Sequence, residues 1–181
     1  MSGGFVVALL GAESTGKTTL ATALGQALGA DGRRTVVVGE VLREFCDREA
    51  RTPRRDEQAA IAAEQTRRIA AAAAGAEVVV ADTSALMIAV YSDLVFGDTS
   101  LYAAAEAEQR RYGLTLLTAL DLPWQADGLQ RDGPHVREPV DRRIRAALAR
   151  GGVAFDPVSG GGSIRLEAAL AAFARALAAR P

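Results

Sequence analysis

Cysteine is all but missing from this sequence: Cys46 stands alone among 181 residues. No internal disulfide can form, and a reducing, cytoplasmic setting is the natural expectation. No second cysteine or nearby histidine supports a metal or nucleophile role for Cys46, which reads as a small packing residue. The single histidine, His135, reads as a surface group. Long apolar runs are lacking too. The apolar stretch 5–10 follows no basic segment and breaks into a Gly-rich turn, and the stretch 69–81 is interrupted by Glu77. Neither reaches the roughly 20 residues that span a bilayer, so a soluble protein with no membrane partner is expected. Charge of one sign is also absent: 21 Lys and Arg face 22 Asp and Glu, for a net −1. That balance argues against broad nucleic-acid coating, which needs a basic face. Internal repeats are missing as well.

What is present is 49% apolar and 24% charged, enough for a packed core in one domain over residues 1–181. Residues 5–10 read as a strand buried on both faces. Leu20, Leu24 and Leu28 then recur every four residues on one helix face. A second buried strand is expected at 35–38, leading into a helix with Arg43 and Glu44 that Thr52-Pro53 breaks. A long Ala-rich helix over 56–74 carries Gln58, Gln65, Arg67 and Arg68 on its polar side. Further strands are expected at 77–81, 114–120 and 153–155, with helices at 85–95, 101–112 and 140–150 and a closing helix to 179. Strands alternating with helices predict a five-stranded parallel sheet, order 2-3-1-4-5, with helices on both faces: an α/β P-loop NTPase fold. In such sheets ligands sit beyond the carboxyl ends of the strands.

The most informative stretch lies there. Gly11-Ala12-Glu13-Ser14-Thr15-Gly16-Lys17-Thr18 matches G-x-x-x-x-G-K-[ST] without a gap, between a strand and a helix. Its backbone N–H groups, with Thr19 beginning the helix, predict a cradle for the phosphates of ATP. Lys17 is expected at the β/γ-phosphates and the Thr18 hydroxyl on Mg²⁺. Asp82, after the strand "EVVVA", stands where the second metal ligand is needed, although Asp82, Thr83 and Ser84 also suit a helix N-cap.

A kinase needs a carboxylate near its acceptor hydroxyl, a lid with cations and an acceptor pocket. Glu40, just after the second strand, can orient or deprotonate a hydroxyl, or simply favour a helix start. Arg43 can clamp phosphate or pair with a carboxylate. Segment 125–140 predicts a small Arg-containing lid. In it Arg131 and Arg137 are the candidate cations, while Arg142, Arg143 and Arg145 suit a solvated helix face. Trp124 offers a flat face to a cationic ring, or packs a hinge. No N-K-x-D stretch supports a GTPase switch. A mechanical AAA-type ATPase needs more chain and a ring interface. A regulatory ATPase read by a partner protein, and a kinase for another nucleoside, stay open.

"GAESTGKTTL", Glu40 with "REF", Gln65, "ADTS" at 81–84, "DLPWQADGLQRDGPHVRE" from 121 and "SGGGSIRLEAAL" come in the order of a known family. Together they resemble the ribosylnicotinamide kinase domain of NadR-type proteins over nearly the whole chain. The resemblance implies MgATP-dependent phosphorylation of the 5′-hydroxyl of a small-molecule nucleoside, nicotinamide riboside. It implies that Lys17, Thr18 and Asp82 handle ATP and Mg²⁺. Glu40, Arg43, Gln65 and Trp124, with Asp82 again, fall on the acceptor side, Arg131 and Arg137 in the lid, and Arg165 near adenine in the loop after the last strand. Ser84 departs from an acidic residue in relatives, and Gln130 displaces Arg131 by one place. Neither a helix-turn-helix ahead of the phosphate loop nor an H-x-G-H nucleotidylyltransferase is expected.

Overall fold

The strand that feeds the phosphate loop sits at the centre of the sheet. In the computed structural model, which describes residues 3–125 and 133–180, β1 (Phe5–Leu10) pairs in parallel with β3 (Val78–Asp82) on one side and β4 (Leu114–Thr118) on the other. β2 (Thr35–Val38) and β5 (Asp156–Val158) add the edges, giving the order β2-β3-β1-β4-β5. This is the predicted order.

Alternation along β1 divides the core. Phe5, Val7 and Leu9 face α1 (Lys17–Ala30) and α7 (Gly162–Ala178), packing with Leu20, Leu24, Leu28, Ala169, Ala172 and Phe173. Leu10, of opposite parity, joins the cluster formed by α2 (Val41–Glu49), α3 (Gln58–Gly75), α4 (Ala85–Phe96), α5 (Tyr102–Gln109) and α6 (Arg137–Gly151). Helix α4 is apolar all round and buried from Ala85 to Val90, as befits a helix wrapped by neighbours. Among the described residues no helix is long and apolar enough to cross a membrane.

Three expectations change. β2 is an edge strand, not a buried one: Val36 and Val37 are each 42% exposed. The last strand runs over Asp156–Val158 rather than 153–155. The Val153 N–H instead donates to the Leu148 carbonyl at 2.9 Å, closing the end of α6 behind the left-handed Gly152. Pro157 fits because an edge strand leaves one side of its backbone unpaired. Gln58 and Gln65 lie in the buried interior, not on a polar face of α3.

Candidate active site

At the C-terminal edge of the sheet, the phosphate loop turns away from β1 and is braced from beneath. Gly11 has φ +155°, and a Cβ there would lie 1.9 Å from Thr118 Oγ1, so only glycine fits. Thr118 Oγ1 lies 2.7 Å from Thr15 Oγ1, which donates to the Ala12 carbonyl at 2.8 Å. Gly16, left-handed at φ 74°, caps α1, so the helix and its free N–H groups begin at Lys17. Glu13 is buried within the loop, and Thr18 and Thr19 are exposed at the helix start. The Lys17 ammonium donates to the Ala12 carbonyl at 2.8 Å. It is the only lysine in the chain.

A buried arginine holds this loop from behind. Arg165, 3% exposed, donates from Nη1 to the Thr15 carbonyl, from Nη2 to Asp121 Oδ1, and from Nε to the Gly160 carbonyl at 2.8 Å. Asp121 Oδ2 in turn accepts the Gly160 N–H at 2.5 Å. Burial pushes the Asp121 carboxyl up, but the Gly160 N–H and the Arg165 charge outweigh it and hold the carboxyl below its ordinary range. The sequence placed Arg165 in the adenine loop. In the structure it lies in the first turn of α7 and links the loops after β4 and β5 to the phosphate loop.

Across the edge, Glu40 caps α2 and Arg43 Nε lies 3.6 Å from its carboxylate. The Glu40 side chain is only 12% exposed. Burial pushes its carboxyl above the ordinary range, Asp82 adds to the rise, and Lys17 and Arg43 pull against it. Lys17, Asp82 and Arg43 thus all lie within electrostatic reach of Glu40. Asp82 ends β3 in register with Leu9, and its Oδ1 is buried without a hydrogen-bond partner among the described residues. Such an acceptor fits a cation ligand, so Thr18 and Asp82 could hold Mg²⁺. That ion keeps waters and phosphate oxygens in its shell and needs few protein ligands. Among the described residues no cluster of three or more His, Cys, Asp or Glu side chains offers another metal site.

The residues after Asp82 divide their tasks. Thr83 adopts φ 79°, uncommon for a β-branched residue, and its Oγ1 is buried and unpartnered among the described residues. Ser84 caps α4 by accepting the Leu86 N–H at 3.2 Å, and donates to Gln109 Oε1 at 2.6 Å. An acidic side chain at 84 would lose the donor that Gln109 accepts.

A cavity of about 410 Å³ opens beside the phosphate loop. Ser14, Lys17, Glu40, Arg43 and Thr83 line it, with an apolar wall that includes Leu42, Met87, Tyr91 and Phe96. Its volume falls in the range of small-molecule sites. Sequence reasoning missed this wall, because α4 reads as core and nothing in its spacing marks one end as a pocket.

Three predicted acceptor residues, Asp82, Gln65 and Trp124, do not line the cavity. Gln65 is fully buried; its Oε1 accepts the Val41 N–H at 2.8 Å and its Nε2 donates to the Gly39 carbonyl at 3.2 Å. It brackets Glu40 instead. Trp124 is half-buried with its Nε1 unpartnered among the described residues. Its neighbour Gln125 is tied to the phosphate loop: the Gln125 N–H donates to Ser14 Oγ at 3.1 Å, and Ser14 Oγ donates to the Gln125 carbonyl at 2.8 Å. Arg137 opens α6, buried, with Nε and Nη2 unpartnered among the described residues. Arg131, with Gln130 and the rest of the stretch 126–132, lies outside the described residues.

Comparison with known proteins follows this geometry. No curated protein matches the chain. A NadR protein solved with NAD and AMP-PNP superposes with a TM-score of 0.75 at 21% identity, covering 98% of this chain and 51% of that one. A NadR protein solved with NR gives 0.75 at 19%, covering 98% and 50%. The chain therefore spans about half the length of these relatives. The deoxyadenosine kinase from M. mycoides, solved with dCMP and dCDP, gives 0.65 at 10%, covering 94% and 100%. These likenesses place the fold. At the level of families, residues 6–165 match the AAA domain. With its phosphate loop on the central strand and that match over most of its length, the chain belongs to the AAA domain family.

Proposed function

We propose that this chain is a MgATP-dependent kinase that phosphorylates the 5′-hydroxyl of nicotinamide riboside, giving nicotinamide mononucleotide. The observation that carries the reading is the joint occupancy of one cavity by Lys17, Glu40 and an apolar wall. A phosphate-handling cation and a buried carboxylate thus face a space shaped for an acceptor. Support at the level of fold comes from the NadR protein solved with NR.

In this mechanism the acceptor's 5′-oxygen attacks the γ-phosphorus of ATP, the bond to the β,γ-bridging oxygen breaks, and ADP leaves. Glu40 accepts the hydroxyl proton, and burial, which raises its affinity for protons, favours that role. Lys17 leaves the Ala12 carbonyl to meet the β/γ-phosphates, where its charge offsets that of the moving phosphoryl group. Thr18 and Asp82 would hold Mg²⁺, which would offset the negative charge of the phosphates. Arg137 and Arg131 supply further cations from the lid segment. Burying the ring against the apolar wall excludes water from the reacting atoms.

The test is ADP release measured with a panel of nucleosides. Nicotinamide riboside should raise turnover well above basal hydrolysis. Stimulation by adenosine or thymidine but not by nicotinamide riboside overturns the acceptor and leaves the kinase class. Hydrolysis indifferent to every nucleoside favours a regulatory ATPase.

A further inference from the structure

Of the polar side chains lining the cavity, Gln58 is one that the reaction above does not use. It opens α3 and is 5% exposed, and its Oε1 is buried with no hydrogen-bond partner among the described residues. A buried amide oxygen left unpaired costs free energy that a donor reaching it would remove.

We infer that Gln58 is the specificity-determining residue of the acceptor cavity, and that it selects a pyridinium ring bearing a primary amide over the same ring bearing a carboxylate. The inference rests on the kinase reading and sharpens its substrate class.

The chemistry follows from the donor inventory. A glutamine amide accepts at one end and donates at the other, and rotation by half a turn exchanges them. A primary carboxamide has the same pair, so either orientation finds a partner. A carboxylate has no donor, so it could meet only the Gln58 N–H groups and would leave the Gln58 oxygen unpaired. A site that favoured a carboxylate would offer it an uncommitted arginine. Of the arginines lining the cavity, Arg43 lies beside Glu40 at 3.6 Å and Arg55 donates to Asp98 at 3.2 Å. Arg54 is exposed, on a loop fixed where its N–H donates to Glu57 at 2.7 Å. None is both buried and uncommitted. A buried, unspent amide is therefore better placed than any of these cations to read the ring.

The experiment uses the full chain with MgATP and two acceptors that differ in one group, nicotinamide riboside and nicotinic acid riboside. The wild type should favour the amide in kcat/KM by roughly 10-fold or more. Gln58→Leu should raise KM for the amide roughly 10- to 100-fold, with less than about a 3-fold effect on the acid riboside. Its kcat and its KM for ATP should hold. Gln58→Asn, which keeps the amide one methylene back, should give an intermediate ratio and guards against a folding defect in the leucine variant, checked by thermal melting. Turnover of both ribosides with a ratio that Gln58 variants do not move overturns the role of Gln58 alone. A wild-type preference for the acid also overturns it. Turnover of neither riboside by the wild type overturns the inference together with the acceptor reading.

Discussion

Gln65 fixes Glu40 through the backbone on either side of it. The Gln65 Oε1 accepts the N–H of Val41 at 2.8 Å, and its Nε2 donates to the carbonyl of Gly39 at 3.2 Å. One side chain from α3 thereby sets the turn from β2 into α2. That turn presents the Glu40 carboxyl to the cavity shared with Lys17.

Gln65→Leu should therefore lower kcat while leaving KM for ATP close to wild type. It strands a buried N–H and a carbonyl, at a cost of about 1–3 kcal/mol. A melting temperature lowered by a few degrees, with kcat reduced more than KM is raised, is the expected pattern.

Glu40→Gln should remove the proton acceptor and depress turnover by about 10²- to 10⁴-fold. Its effect on stability runs the other way. Burial raises the folded-state pKa above the unfolded value. The carboxyl's contribution is then fully present below the ordinary carboxylate range and lost as pH rises through the folded pKa. At neutral pH the glutamine variant should melt no lower than wild type. In the wild type, kcat/KM should fall on the acid side with a midpoint above that of a free glutamate. Turnover and melting curves across pH check both.

Asp121→Asn should weaken the brace behind the phosphate loop. Asp121 titrates below its ordinary range, so its contribution is present above that range and fades as pH falls through the folded pKa. KM for ATP should rise and the melting temperature should drop by a few degrees at neutral pH. Wild type and variant should converge in acid.

A lone lysine makes Lys17 chemically addressable. An amine-acylating reagent has only Lys17 and the chain's amino terminus to modify. Modification at Lys17, read by mass spectrometry, should track loss of turnover one to one. MgATP should protect it.

Tyr91 lines the cavity and Trp124 does not. Tyr91→Ala should therefore raise KM for the acceptor more than Trp124→Ala does. The reverse order would return the ring-stacking role to the indole that the sequence favoured.

Much of this protein is legible in one dimension because its signals are local. The phosphate loop needs glycines, a lysine and a hydroxyl at fixed offsets, and β1 and α1 carry periods that declare themselves. The strand order followed from that motif and the alternation of elements. Burial was harder to read. TVVV looks like a central strand, yet β2 is an edge, because only the sheet order says how many neighbours a strand has. An apolar triad at 153–155 lost its strand to the capping bond that ends α6.

Sequence by itself determined the phosphate grip, the sheet and the carboxylates at its edge, because each depends on residues close together in the chain. Tertiary structure alone decided which polar side chains serve the ligand and which serve the backbone. Gln58 and Gln65 are two turns apart on α3. One lines the cavity and has a buried oxygen without a partner among the described residues, and the other spends both ends of its amide on the turn around Glu40. Hydrogen-bond satisfaction is a property of the packed neighbourhood, and no spacing rule encodes it.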